Sequence, residues 1–323
     1  MKPILPVILL AAAPLHAQDL VVYTYDSFTA EWGPGPQIEA AFEAECACDL
    51  AFVGTGDGAA MVARLGLEGA GTDADVVLGL DTNLIEAARA TGLFASAPEG
   101  LAAPDLPIAW DDDTFVPFDW SYFAFVYETG TLDTVPTSFE ELAASDVSIV
   151  IQDPRSSTPG LGLLMWVDAL YGDEAGAIWE GLADNIVTVT PGWSEAYGLF
   201  LEGEAEMVLS YTTSPAYHLI AEEDAGKDVA AFDTGHYMQV EVAAALAGSD
   251  RPELAAQFLA FMTGEGFQSV LPTTQWMYPA YETVLPEGYD TLHQPQTALL
   301  QSPQDAAARR DAALAIWQEA LSQ

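Results

Sequence analysis

Lysine is nearly absent from this chain. Lys2 and Lys227 are the two lysines in 323 residues, and with arginine they make 8 cations against 49 acidic residues, a formal net charge of −41. Wrapping a nucleic acid or coating an anionic membrane takes phosphate-neutralising cations, so both partner classes are excluded. Such acidity solvates the surface and repels copies of the chain, which makes a monomer the expectation. No stretch after the first residues approaches the ~20 apolar residues of a spanning helix. Catalytic signatures are missing as well: there is no HExxH, P-loop or GxSxG, and His16, His218, His236 and His293 are scattered without an i, i+4 partner. Gly54-Thr55-Gly56-Asp57-Gly58 carries a GxGxG rather than the GxGxxG of a dinucleotide loop. Nothing in the sequence advocates an enzyme, a metal or a cofactor.

Cysteine is equally scarce. Cys46 and Cys48 are the two cysteines, and a Cys-Ala-Cys spacing can close a small disulfide ring. A metal site would want a nearby histidine or second cysteine pair, and a reactive thiol would want a base. The disulfide is favoured by the compartment that the first residues imply. Met1 to Ala17 has the form of a secretory signal: Lys2 at its start, a short apolar run from Ile4 to Ala13, and Leu15-His16-Ala17 as a cleavage-like site. Pro6 and Pro14 interrupt the run, which argues against an anchor. Export to the periplasm follows as the expectation.

What is present is a globular α/β composition. Half the residues are hydrophobic and 18% charged, too apolar for a disordered chain. Strand-like and helix-like segments alternate: Asp19–Tyr25, Pro36–Glu45, Leu50–Val53, Ala59–Gly69, Ala74–Leu80 and Asn83–Thr91 read as βαβαβα. Thr114–Glu128 is long, aromatic and extended. Ser138–Ala144, Val147–Ile151, Pro159–Tyr171, Asp173–Ala183, Val187–Val189, Trp193–Glu202, Met207–Ser210 and Pro215–Glu222 repeat the alternation. Met238–Leu246 is extended again, and helices at Pro252–Met262 and Gln304–Leu321 finish the chain. Two α/β units joined by extended crossings, with no flexible linker, predict two lobes around a hinge and a cleft.

Two residue patterns indicate what the cleft would hold. Aromatics recur where strands give way to loops: Tyr23, Tyr25 and Trp32; Trp193 and Tyr197; Tyr211 and Tyr217; Trp276 and Tyr278. Ligands of doubly wound folds sit at those strand ends, and a π face suits a planar cationic ring. Ser and Thr also precede a proline at two helix starts, Ser156-Ser157-Thr158-Pro159 and Thr212-Thr213-Ser214-Pro215. Hydroxyls and first-turn amides can bind phosphate without lysine, although ordinary N-capping uses the same residues.

The segments VVYTYDSFTAEWGPGP, FEAECACDL, ADVVLGLDTNLIEAA, TFVPFDWSYFAFVY, IQDPRSSTPGLGLL, GWSEAYGLFLEGE, LSYTTSPAYH, QVEVAA and QWMYP, in that order, resemble the periplasmic thiamine-binding proteins, solute receptors of ABC importers. The resemblance spans almost the whole mature chain. It implies a two-lobed periplasmic-binding-protein fold of type II with two crossing segments, residues 1–17 being signal, 18–117 plus 240–323 one lobe and 118–239 the other. It implies a ligand of the thiamine type, thiamine or its mono- or pyrophosphate, delivered to a membrane permease. Carried onto matching positions, the aromatic contacts are Tyr25, Trp32, Trp193, Tyr211, Tyr217 and Trp276, with Asp57 and Gly58 beside the rings. Ser157, Thr158, Thr212, Thr213 and Ser214 fall to the phosphate or hydroxyethyl end. Gly54-Thr55-Gly56 departs from the family pattern, and Arg155 reads as a structural partner of a carboxylate rather than a phosphate ligand. The rival readings are an exported thiamine-degrading transferase, which needs a cleft cysteine, and a metal or polyamine receptor on the same fold.

Overall fold

The computed structural model describes residues 20–322; the signal segment predicted at residues 1–17 lies outside them. Among the described residues eleven strands are formed: β1 Leu20–Thr24, β2 Leu50–Gly54, β3 Val76–Asp81, β4 Val116–Glu128, β5 Ile149–Gln152, β6 Ile186–Thr190, β7 Met207–Tyr211, β8 Lys227–Val229, β9 His236–Ala245, β10 Tyr278–Pro279 and β11 Ala298–Leu299. The path runs β2-β1-β3-β9-β4-β7-β5-β6.

That order contains one pattern twice. β1 pairs in parallel with β2 and β3, and β3 pairs antiparallel with β9. β5 likewise pairs in parallel with β6 and β7, and β7 pairs antiparallel with β4. Each half is therefore three parallel strands in the order second, first, third, closed by one long antiparallel strand. The two closing strands pair with each other from Val116↔Ala243 to Tyr122↔Met238, and they join the halves. These are the two extended crossings expected from the sequence. Proline and glycine bound most of the helices between them, which is why helix starts were legible: Pro159, Pro215, Pro252 and Pro303 all occupy first-turn positions, where a missing N–H costs nothing.

Strand alternation sends side chains to separate cores. Leu20 and Val22 of β1 join Phe42, Phe118, Phe258 and Phe267 on one face, whereas Tyr23 faces the other. In β4, Phe123 and Phe125 enter a core with Phe139, Trp166 and Trp179, while Ala124 and Val126 pack with Val208 and Phe200. The last helix, Pro303–Leu321, lies on helices Thr158–Tyr171 and Ala175–Leu182 and also touches Ile85–Ala90. Trp317 is buried there, and Arg309 binds Asp168 at 2.8 Å and Asp173 at 3.1 Å. Cys46 and Cys48 form the expected disulfide at the end of helix Gly35–Cys46. Among the described residues no helix is long and apolar enough to cross a membrane.

Candidate ligand-binding cleft

The carboxyl ends of the parallel strands of both halves face one cavity of about 650 Å³. Tyr25 and Asp26 follow β1, Gly56 and Asp57 follow β2, Pro191 to Trp193 follow β6, and Tyr211 ends β7. This is the position the doubly wound topology reserves for ligands.

Aromatic side chains form its walls. Trp193 stacks on Tyr197 with ring centroids 5.0 Å apart at 27°, and Trp32 faces Trp193 from the other half at 6.3 Å. The Trp193 indole N–H donates to Ser210 Oγ at 2.8 Å, which fixes the ring plane. Tyr217 meets Trp276 edge-on at 5.5 Å. Trp276 has φ +60°, a left-handed backbone that a bulky side chain adopts only where its surroundings enforce it. At 57% exposure Trp32 is a rim residue. An exposed tryptophan at a cavity mouth is what a bound ring would cover.

Tyr25 owes its place to a glycine. Gly79 in β3 has φ +99°, and a Cβ there would sit 2.2 Å from Tyr25 Cδ1. Gly79→Ala is expected to lower stability by about 2 kcal/mol through strain and overpacking and to displace Tyr25. Thermal melts and ligand titration together check it; a variant with unchanged melting and affinity removes Gly79 from the positioning of this ring.

The hydroxyl clusters behave differently from simple caps. Ser157 is the N-cap of helix Thr158–Tyr171, yet its side chain makes no capping bond. Ser157 Oγ donates instead to Asp57 Oδ2 at 2.8 Å, and Thr158 Oγ1 donates to Asp57 Oδ1 at 3.0 Å. Asp57 also accepts from the amides of Gly58 and Thr158. A carboxylate following β2 thus occupies the positive end of a helix that follows β5, a cap supplied across the cleft. Burial pushes its pKa up, and these donors pull the other way. In the second cluster Ser214 Oγ pairs with Ser210 Oγ at 2.7 Å, and Thr213 Oγ1 pairs with Ser121 Oγ at 3.1 Å. Helix Trp193–Leu201, capped by Gly192, has no side-chain cap at all and opens on the cavity.

Of the residues singled out in the sequence, Tyr25, Trp32, Asp57, Thr158, Trp193, Tyr211, Ser214, Tyr217 and Trp276 line the cavity. Gly58, Ser157, Thr212 and Thr213 stand directly behind its wall, where they hold Asp57 or the β4–β7 seam. Arg155 pairs with Asp153 at 2.8 Å, Nε to Oδ1, and its guanidinium lies 5.7 Å from the Trp317 ring, clear of the cavity. Gly54 lets Asp26 close against the loop, where a Cβ would meet Asp26 Oδ1 at 2.6 Å, and Gly56 N donates to the same oxygen at 3.0 Å.

Sequence reasoning missed the floor. Glu241 of β9 and Gln275 line the cavity, and Tyr25 donates its hydroxyl proton to Glu241 Oε2 at 3.0 Å. The signal was available: Glu241 is the one carboxyl of β9 and Asp119 sits inside the apolar run of β4, a buried placement that costs free energy unless a partner compensates it. Asp26, Asp57, Glu195 and Glu241 all line the cavity, and no lysine, arginine or histidine does so among the described residues. Aromatic walls with an acidic lining suit a planar cation.

Two α/β halves with this strand order, hinged by a pair of crossing strands over a cleft, define a bilobal solute receptor. The chain belongs to the bacterial extracellular solute-binding proteins, whose family model matches residues 33–269. It is 52% identical to the thiamine-binding periplasmic protein of Escherichia coli, covering 100% of this chain and 99% of that one. A solved structure of a periplasmic thiamin binding protein superposes with a TM-score of 0.91 at 52% identity, covering 94% of this chain and 96% of that chain. A ferric binding protein from Campylobacter jejuni shares the fold at 18% identity, with a TM-score of 0.76 and coverage of 93% of this chain and 99% of that chain.

Proposed function

We propose that this chain is a periplasmic receptor that binds thiamine or its phosphate esters between its lobes and hands it to an ABC permease, without chemical turnover, without a cofactor and as a monomer. The observation that carries the reading is the cavity itself, which joins facing tryptophans and tyrosines to an acidic lining with no basic side chain. Membership of the solute-binding family and the thiamine-binding relatives support it. The thiazolium and pyrimidine rings are assigned to Tyr25, Trp32, Trp193, Tyr211, Tyr217 and Trp276. The hydroxyethyl or phosphate end is assigned to the open start of helix Trp193–Leu201, with Thr158 and Ser214 beside it. The lobes exchange near 117/118 and 239/240 within the crossing strands, and the C-terminal helix straps both.

Ligand binding favours the closed form because contacts from both halves meet in it, and a permease reads that form. Two of the rival readings, the transferase and the metal receptor, find little support. Both cysteines are consumed by the disulfide, which leaves a thiamine-degrading transferase without its nucleophile. Among the described residues no three His, Cys, Asp or Glu side chains are grouped to hold a metal.

Trp32, Trp193 and Trp276 are three of the eight tryptophans, so adding thiamine to ligand-stripped protein is expected to change emission saturably at one ligand per chain. Isothermal titration should give the same stoichiometry. A flat response by both methods with folded protein overturns the reading.

A further inference from the structure

β9 and β4 place Glu241 directly opposite Asp119 at the centre of the crossing pair. Asp119 is 0% exposed and Glu241 4%, yet Glu241 lines the cavity floor. No N–H or O–H among the described residues donates to either Asp119 oxygen; the group paired with it across the ladder is the Glu241 carboxyl. Two carboxyls can bond to each other only if one carries a proton. Gln275 donates to the Tyr25 hydroxyl at 2.5 Å, which commits the Tyr25 proton to Glu241. Among the described residues, that donation and Gln275 Nε2 at 3.4 Å are the hydrogen bonds given to the pair.

The groups that face this pair are themselves acids or phenols. Asp81 lies opposite Glu241 on β3, Asp57 bears on Glu241 from the start of helix Gly58–Glu68, and Tyr25 and Tyr211 approach from β1 and β7. Burial pushes both Glu241 and Asp119 well above the usual carboxylate range; the Asp119 charge raises Glu241 further, whereas the Glu241 carboxyl pulls Asp119 part of the way back. Two buried negative charges side by side are not tolerated, whereas one shared proton leaves one.

We propose that Glu241 and Asp119 share a single proton in the empty receptor and surrender it when a cationic ligand seats on Glu241, making this pair the specificity determinant of the cleft floor. In the step, one carboxyl O–H bond breaks, the electron pair stays on oxygen, and the proton leaves to buffer. The ligand's positive charge takes the proton's place. The inference rests on the thiamine reading, and thiamine supplies a quaternary thiazolium whose charge does not titrate.

The test is calorimetry of thiamine binding to the ligand-stripped full chain in buffers of differing ionisation enthalpy, repeated across the near-neutral range. Release of close to one proton per ligand is expected, with affinity rising up to about tenfold per pH unit while the pair remains protonated. Glu241→Gln should bind at least about tenfold more weakly and lose the buffer dependence. Asp119→Asn relieves the like-charge neighbour, so it should release less proton while still binding; it carries the test if Glu241→Gln does not fold. Wild-type binding whose heat is independent of buffer overturns this proposal and leaves the thiamine receptor standing. Absence of binding overturns both.

Discussion

Asp57→Ala is expected to weaken ligand binding by about a hundredfold while leaving a folded protein. The carboxylate accepts from Ser157 Oγ, Thr158 Oγ1 and the Thr158 amide, all of them from the opposite half of the molecule. Opening the cleft would part the two halves that make these bonds, so their loss is expected to fall on the closed state rather than on folding. Hydrogen bonds to a charged group are each worth about 1.5–3 kcal/mol, and a missing helix cap costs about 1 kcal/mol. A total near 3 kcal/mol, after water recovers part of the loss, corresponds to about two decades in Kd. Fluorescence titration gives the affinity and a thermal melt gives the fold. Affinity within about threefold of wild type would show that the latch does not govern closure.

Trp193→Ala should cost about 2–3 kcal/mol of binding, roughly thirtyfold to 140-fold, because buried aromatic anchors dominate such sites. Its ring is held by stacking on Tyr197 and by the 2.8 Å bond to Ser210 Oγ, so it meets the ligand without paying to order itself. Trp32 approaches the same space from the other half. Combining Trp32→Ala with Trp193→Ala should therefore be non-additive by about 0.5–1.5 kcal/mol, since one ring's contact with the ligand depends on the other closing the far side. Strict additivity would mean that the two indoles do not sandwich a common ligand.

Much of this was legible because the sequence marks element ends clearly. Pro159, Pro215, Pro252 and Pro303 announce helix starts, and the runs at β3, β4 and β9 are too apolar and β-rich to be anything but buried strands. β8, β10 and β11, of two or three residues each, carry no period to detect and form only because long strands offer them an edge. The aromatic half of the cleft could be read from rings at strand ends. The carboxyl floor could not be read as easily, since in a chain with 49 acidic residues one more Asp or Glu carries little information until its neighbours are known to be apolar. The trans cap was invisible for another reason: Asp57 and Ser157 are a hundred positions apart, and local spacing describes only caps made within a few residues.

The joint between the halves is woven rather than slack. Val116 to Tyr122 and Met238 to Ala243 are laddered backbone, almost wholly buried, so opening must proceed by torsion of a two-stranded ribbon whose rungs stay intact. A joint of that kind behaves as a spring with a preferred angle, and it sets the mouth width to which the empty receptor recoils after unloading.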